Sequence, residues 1–180
     1  YMDRFSLLYI KIDNIAKLRE VWGKNDPDLV AFALLCEKCR CDGITVHLRK
    51  DRRYMQDQDV FTLKEELQGK FNIEISLSDE LIDVAKRARP NMITVVPENV
   101  EENNMDWGLD VRGNMTRIMD TVKLFHDQNI LVSLCIEPYG DTVELSKECG
   151  ADFIEIHTGR YCSAVDPTEI DRQIERTYSA

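Results

Sequence analysis

Cys39-Arg40-Cys41-Asp42-Gly43-Ile44-Thr45-Val46-His47 and Cys149-Gly150-Ala151-Asp152-Phe153-Ile154-Glu155-Ile156-His157 spell one pattern twice: Cys-x-x-Asp-x-Ile-x-[Val/Ile]-His. Each copy follows a helix-like stretch and runs into a short strand that ends on histidine. A helix-to-strand unit used twice in one chain predicts alternating β and α elements around a parallel sheet. In such folds chemistry sits at the C-terminal ends of strands. A matched structural ladder without chemistry is the competing reading.

Working outward, apolar runs bounded by turn residues predict six strands, at 6–13, 43–48, 71–76, 92–97, 131–136 and 153–158. Helical patterns fill the gaps. Asp26-Pro27 is expected to open one that runs towards Cys39, and 57–68 is a second. Ser78, with Asp79 and Glu80 in the first turn, starts a third that ends before Pro90. The others are 113–128, 141–149 stopped by Gly150, and one opened by Asp166-Pro167. Six evenly spaced βα units favour a TIM-type (β/α) barrel, with about six of its eight units present, over an open doubly wound sheet. No Gly-x-Gly-x-x-Gly follows the first strand. No linker or low-complexity tract divides the sequence, so residues 1–180 are expected to form a single domain.

Side chains alternate between the two faces of a strand. One face collects Leu8, Ile10, Ile12, Ile44, Val46, Leu48, Phe71, Ile73, Ile75, Val132, Leu134, Ile136, Ile154 and Ile156, which suits packing under helices. The other collects Lys11, Asp13, Thr45, His47, Asn72, Glu74, Ser76, Ser133, Cys135, Glu137, Glu155 and His157. In a barrel the second face points to the axis, where apolar residues are usual. Burying that many polar groups is costly unless they pair or meet a polar ligand. A ligand site is the favoured reading, and an internal ion-pair network the alternative.

The chain has 180 residues, 43% hydrophobic and 31% charged, with a formal net charge of -10. An acidic surface repels phosphate backbones, so nucleic acid is not an expected partner, whereas a local basic loop such as Arg49, Arg52 and Arg53 can hold a phosphorylated small molecule. No apolar run approaches bilayer length, and no secretory leader is seen, so no membrane association is expected. The first residue is Tyr1, which leads us to expect that the native start lies elsewhere. The six cysteines do not form a disulfide framework in a chain of this size. Cys36-x-x-Cys39-x-Cys41 lacks a second ligand pair for zinc, so these are expected to be buried structural thiols, and no metal is expected. The pattern suits a reducing cytoplasm.

His47 ends the second strand beside the cationic run Arg49-Lys50-Asp51-Arg52-Arg53, as a base acting on a phosphorylated substrate would. Glu74 lies mid-strand on the polar face, where burial tunes a carboxyl for acid–base work, and a salt bridge to Lys11 or an arginine is the competing reading. Glu155 and His157 repeat the theme. The spread suits proton shuttling rather than a nucleophilic triad, and no Gly-x-Ser-x-Gly elbow is present. His126 reads as a helix-surface residue.

Asp42-Gly43-Ile44-Thr45-Val46-His47-Leu48-Arg49-Lys50-Asp51-Arg52-Arg53 closely resembles the signature of the pyridoxine 5'-phosphate synthase family. So do Ile12-Asp13-Asn14-Ile15-Ala16-Lys17-Leu18-Arg19, Asn72-Ile73-Glu74, Val95-Val96-Pro97-Glu98, Gly108-Leu109-Asp110-Val111 and Phe153-Ile154-Glu155-Ile156-His157-Thr158-Gly159, in the family's order. The resemblance implies a (β/α) barrel assembled as a homo-oligomer, from dimer to octamer. It implies condensation of 3-amino-2-oxopropyl phosphate with 1-deoxy-D-xylulose 5-phosphate to pyridoxine 5'-phosphate, inorganic phosphate and water, without metal or organic cofactor. His47 matches the family's general base and Glu74 its second acid–base residue. Arg49 matches an arginine that holds the ketose phosphate. Asp13 lies in the segment that cradles substrate, and Glu155 matches a carboxylate of the site.

The sequence also departs from the family pattern. Lys11 stands where the family has asparagine, Asn14 where it usually has histidine, Trp22 at an arginine, Tyr54 at a histidine, and Met105 near a substrate-contacting threonine. Lys11, Asn14 and Tyr54 are therefore expected substrate-binding positions with altered contacts. The family's seventh strand, with its glycine-flanked histidine, and the phosphate-binding loops after strands seven and eight have no counterpart, so a C-terminal quarter is expected beyond this sequence. Two alternative functions follow from the departures. One is an inactive relative serving as a binding or assembly module. The other is a Schiff-base lyase with Lys11 as the amine nucleophile.

Overall fold

The computed structural model describes residues 6–23, 26–98, 108–138 and 140–179. Two compact units divide at Ile93–Thr94. The first holds β1 (Tyr9–Lys11), α1 (Asp13–Trp22), α2 (Leu29–Lys38), β2 (Gly43–His47), α3 (Asp57–Glu66), β3 (Lys70–Ile75) and α4 (Asp79–Ala88). β4 (Met92–Val95) contains the division. The second holds α5 (Met115–His126), β5 (Leu131–Ile136), α6 (Thr142–Glu148), β6 (Phe153–Ile156), α7 (Gly159–Ser163) and α8 (Pro167–Ser179). The class is α/β with six strands, as the apolar spacing predicts.

In the first unit β1, β2 and β3 lie side by side and parallel, with Ile10 opposite Ile44, Thr45 opposite Asn72 and His47 opposite Glu74. The expected alternation holds: Ile44, Val46, Leu48, Phe71, Ile73 and Ile75 are fully buried on one face. The other face is also buried, but with Thr45, Asn72, Glu74 and Ser76. Gly43 is fixed by this packing, because a Cβ there would sit 2.8 Å from the Lys70 carbonyl oxygen and collide with the Tyr9 ring. In the second unit β5 and β6 are parallel, with Cys135 opposite Glu155 and Ile136 opposite Ile156. Val132, Leu134 and Ile136 are buried there, as are Ile118, Val122 and Phe125 of α5.

The aspartates of the repeat turn out to be strand pins. Asp42 accepts the Leu8 N–H on its carboxylate at 2.7 Å, and its own N–H donates to the Leu8 carbonyl at 2.8 Å. Asp152 grips Val132 the same way, at 2.8 and 2.9 Å. Asn91 does so with Phe71, at 2.9 Å in both directions. Each of these residues sits just before one strand and closes a two-bond ring onto its neighbour, which sets the parallel register before the ladder begins. Asp152→Ala orphans a strand-end N–H and is expected to cost about 1–3 kcal/mol. Urea unfolding measures it, and an unchanged midpoint would mean that the ring does not set the register.

Several expectations are corrected. The first strand does not run to residue 13: the chain turns at Ile12, and Asp13 opens α1, so two helices separate β1 from β2. Ile12, Ile15, Ala16 and Arg19 have helical spacing, and Arg19 locks the helix to Asp59 through two 2.7 Å bonds. Asp28, rather than Asp26-Pro27, caps α2, accepting from the N–H groups of Val30 and Ala31. α7 was not expected. Leu8 is exposed, because it precedes β1 and is held only through its backbone. Cys39 is exposed and Cys36 and Cys41 half-buried, so they are not the buried core thiols expected. They fall where α2 ends and the chain turns into the next strand.

Candidate active site

In the first unit four side chains meet at the C-terminal ends of three strands. Lys11 ends β1, Asp13 is one residue past the turn, His47 ends β2, and Glu74 is next to last in β3. Since His47 faces Glu74 in register, the two share a side of the sheet. Lys11 Nζ lies 2.5 Å from Glu74 Oε2 and 3.6 Å from Asp13 Oδ2. His47 Nδ1 is 4.0 Å from the same Glu74 oxygen. Asp13 Oδ1 accepts the His47 backbone N–H at 2.7 Å, tying the start of α1 to the end of β2.

Burial sets the electrostatics. The Glu74 side chain is 4% exposed, whereas that of Lys11 is 44% exposed and brings its ammonium in from the solvent side. Desolvation pushes the His47 imidazole down to about 4, with Lys11 and Arg49 adding to the fall and Glu74 opposing it. Desolvation likewise raises Asp13 to about 6, against the pull of the His47 N–H and Lys11. Near neutrality His47 is therefore an unprotonated base beside a paired carboxylate. Below them Asn72 donates to Thr45 Oγ1 at 3.3 Å. Ser76 lies two residues beyond Glu74, and its Oγ is the buried side-chain oxygen that lacks a hydrogen-bond partner among the described residues.

The remaining predicted residues are placed as follows. Arg49 is clasped by Asp51 through two 3.0 Å bonds and is mostly buried. Arg52 is structural, bridging Asp57 and Glu80. Tyr54 has a left-handed backbone, donates its N–H to Glu20, and lies within cation–π range of Lys17 and Arg53. It lines an open cleft of about 990 Å³ with Arg19, Arg52, Arg53 and Gln56. Asn14 and Trp22 are exposed on α1. Met105 lies outside the described residues.

In the second unit Glu155 is exposed on β6. Its neighbour His157 places Nδ1 3.0 Å from Oε1 of Glu137, a carboxylate 8% exposed. The same oxygen accepts the Gly108 N–H at 3.1 Å, and Arg160 Nε is 3.5 Å from Oε2. Gly108 permits this approach, since a Cβ there would overlap the Ile136–Glu137 backbone. Both histidines of the repeat thus lie beside a carboxylate at the C-terminal end of the neighbouring strand. Glu137 was legible as a polar-face residue but not as the centre of a cluster. His126 is on the surface, paired with Asp152 at 2.8 Å.

A parallel α/β scaffold that gathers an imidazole, a buried carboxylate and an ammonium at its strand ends has the groups that acid–base chemistry uses. The model of the family "Pyridoxal phosphate biosynthesis protein PdxJ" matches residues 8–180, and the chain belongs to that family. A pyridoxine 5'-phosphate synthase of Prochlorococcus marinus (strain MIT 9215) is 44% identical over 96% of this chain and 74% of its own length. One of Geobacter sulfurreducens is 40% identical over 96% and 72%. Among solved structures, a mandelate oxidase variant superposes with a TM-score of 0.60 at 10% identity, covering 96% of this chain and 61% of its own. A glycerophosphoryl diester phosphodiesterase from Parabacteroides distasonis gives 0.50 at 13%, covering 94% and 50%. These distant likenesses concern the fold alone. No helix is long and apolar enough to cross a membrane among the described residues.

Proposed function

We propose that this chain forms pyridoxine 5'-phosphate by condensing 3-amino-2-oxopropyl phosphate with 1-deoxy-D-xylulose 5-phosphate, releasing inorganic phosphate and water. The observation that carries the reading is the Lys11–Glu74–His47 constellation at the strand ends. Imine formation, dehydration and ring closure need repeated proton transfers at one place, and an unprotonated imidazole beside a fixed carboxylate supplies them. His47 takes the role of general base and Glu74 that of its acid–base partner. Arg49 holds the ketose phosphate, with Asp51 presenting its guanidinium. Asp13, Asn14 and Tyr54 line the approach of substrate. Glu155 enters through the family pattern. The six βα units are read as part of an eight-unit barrel, acting in the cytoplasm as a homo-oligomer.

The Schiff-base alternative is not favoured. A nucleophilic lysine must be neutral, and Lys11 is held as an ammonium by Glu74 at 2.5 Å. Relatives named as synthases likewise speak against an inactive module. Incubation of the protein with both phosphorylated substrates tests the proposal. Pyridoxine 5'-phosphate, detected by mass spectrometry alongside stoichiometric phosphate, is the expected result, and its absence under saturating substrate would overturn the reading.

A further inference from the structure

Glu74 is a buried carboxylate with two ion-pair contacts, Lys11 Nζ at 2.5 Å and His47 Nδ1 at 4.0 Å. A carboxylate so far from water needs a cation or a proton. Coulomb attraction falls with distance, so the nearer ammonium meets that need and the imidazole is left without a reason to charge. We propose that Lys11 is a positioning residue whose fixed charge occupies Glu74, so that the Glu74–His47 pair holds no proton in the resting site and His47 stands ready as the base.

This rests on the reading of His47 as base. The charged groups acting on the imidazole are Lys11 from β1, Glu74 from β3, and Arg49 and Asp51 from the loop after β2, while Asp13 of α1 holds the His47 backbone N–H. Lys11 reaches across from β1 and bonds Glu74 directly. Burial already disfavours the imidazolium, and the lysine charge works in the same direction. When His47 takes a proton from substrate, the new cation lies 4.0 Å from Glu74, which then has two positive neighbours. That arrangement makes the protonated form a short-lived donor, suited to handing the proton back in the next step. Without Lys11 the same carboxylate would raise the proton affinity of the imidazole beside it, and the margin by which the base stays free would shrink.

The test is a pH titration of the histidine ring resonances in the whole protein, with His47 assigned by its loss in His47→Gln. In Lys11→Met the midpoint sensed by the His47 ring is expected to rise by about one unit or more, a tenfold gain in proton affinity. Lys11→Arg, which keeps the charge, is expected to keep the low midpoint, and His126 on the surface serves as an internal control. A methionine variant that titrates like the wild type would overturn the proposal. So would an arginine variant that rises as far as methionine, because shape and not charge would then matter. The side chain of Lys11 is 44% exposed, so its replacements are expected to fold. Since the ring is read directly, a protein that made no pyridoxine 5'-phosphate would sink the proposed function and leave this inference standing or falling by itself.

Discussion

His47→Asn is expected to lower kcat/KM for pyridoxine 5'-phosphate formation by about 10²- to 10⁴-fold, the usual worth of a positioned general base. Asparagine retains the backbone N–H that Asp13 accepts at 2.7 Å, so the turn between β1 and α1 keeps its clamp. What it removes is the ring nitrogen that can hold a proton. Burial keeps that nitrogen free of protons at neutral pH, with a value of about 4, so the wild type enters each cycle with its base available. The loss should fall mainly on kcat, because the proton transfers belong to the chemical steps and the phosphate contact belongs to Arg49. Steady-state kinetics with both substrates measures it. An asparagine variant within a few-fold of wild type would remove His47 from the mechanism.

The second large effect concerns stability against pH. Asp13 is raised from 3.8 to about 6, so the folded chain binds that proton more tightly than the unfolded chain does. Acidification from pH 6 to 4 therefore stabilises the fold through Asp13 by about 2 kcal/mol. His47 is lowered from 6.5 to about 4, so the unfolded chain binds its proton more tightly. Acidification over nearly the same range destabilises the fold through His47, again by about 2 kcal/mol. The two contributions oppose each other and largely cancel in the wild type. Asp13→Asn should expose the His47 slope, losing about 2 kcal/mol relative to wild type between pH 6.5 and 4. His47→Gln should show the reverse, gaining a similar amount relative to wild type as pH falls from 6 to 4. Urea unfolding at half-unit pH intervals gives both curves. Variants that run parallel to wild type would show that these groups titrate normally in the fold.

The legible part of the fold was the part in which one face of a strand is apolar. Ile44, Val46, Leu48, Phe71, Ile73 and Ile75 announce two strands by period, and all six are buried. The same parity delivered His47 and Glu74 to one side, and the register places them opposite each other. The helix at Asp13–Trp22 was hidden because Leu18, Val21 and Trp22 are exposed apolar residues that blur its stripe. Its true inner face is short, and its anchor is an arginine pairing with Asp59 from a distant segment. The repeat was read as one motif, but it carries two separate functions. Asp42 and Asp152 pin strands, a task Asn91 performs with no repeat around it. Only the histidines carry the carboxylate couples. The bridge from Lys11 to Glu74 was legible as the competing reading of that carboxylate, because both residues fall on the polar face, and the long lysine side chain does reach from β1 to β3.

A double-mutant cycle between His47 and Glu74 asks most directly whether the two act as one proton-handling unit. kcat/KM is measured for wild type, His47→Asn, Glu74→Gln and the double variant, with folding checked by thermal unfolding. If the residues work together, the double variant is about as slow as the slower single variant, because the second change removes nothing further. Losses that multiply would mean that the imidazole and the carboxylate act independently, and would contradict the account.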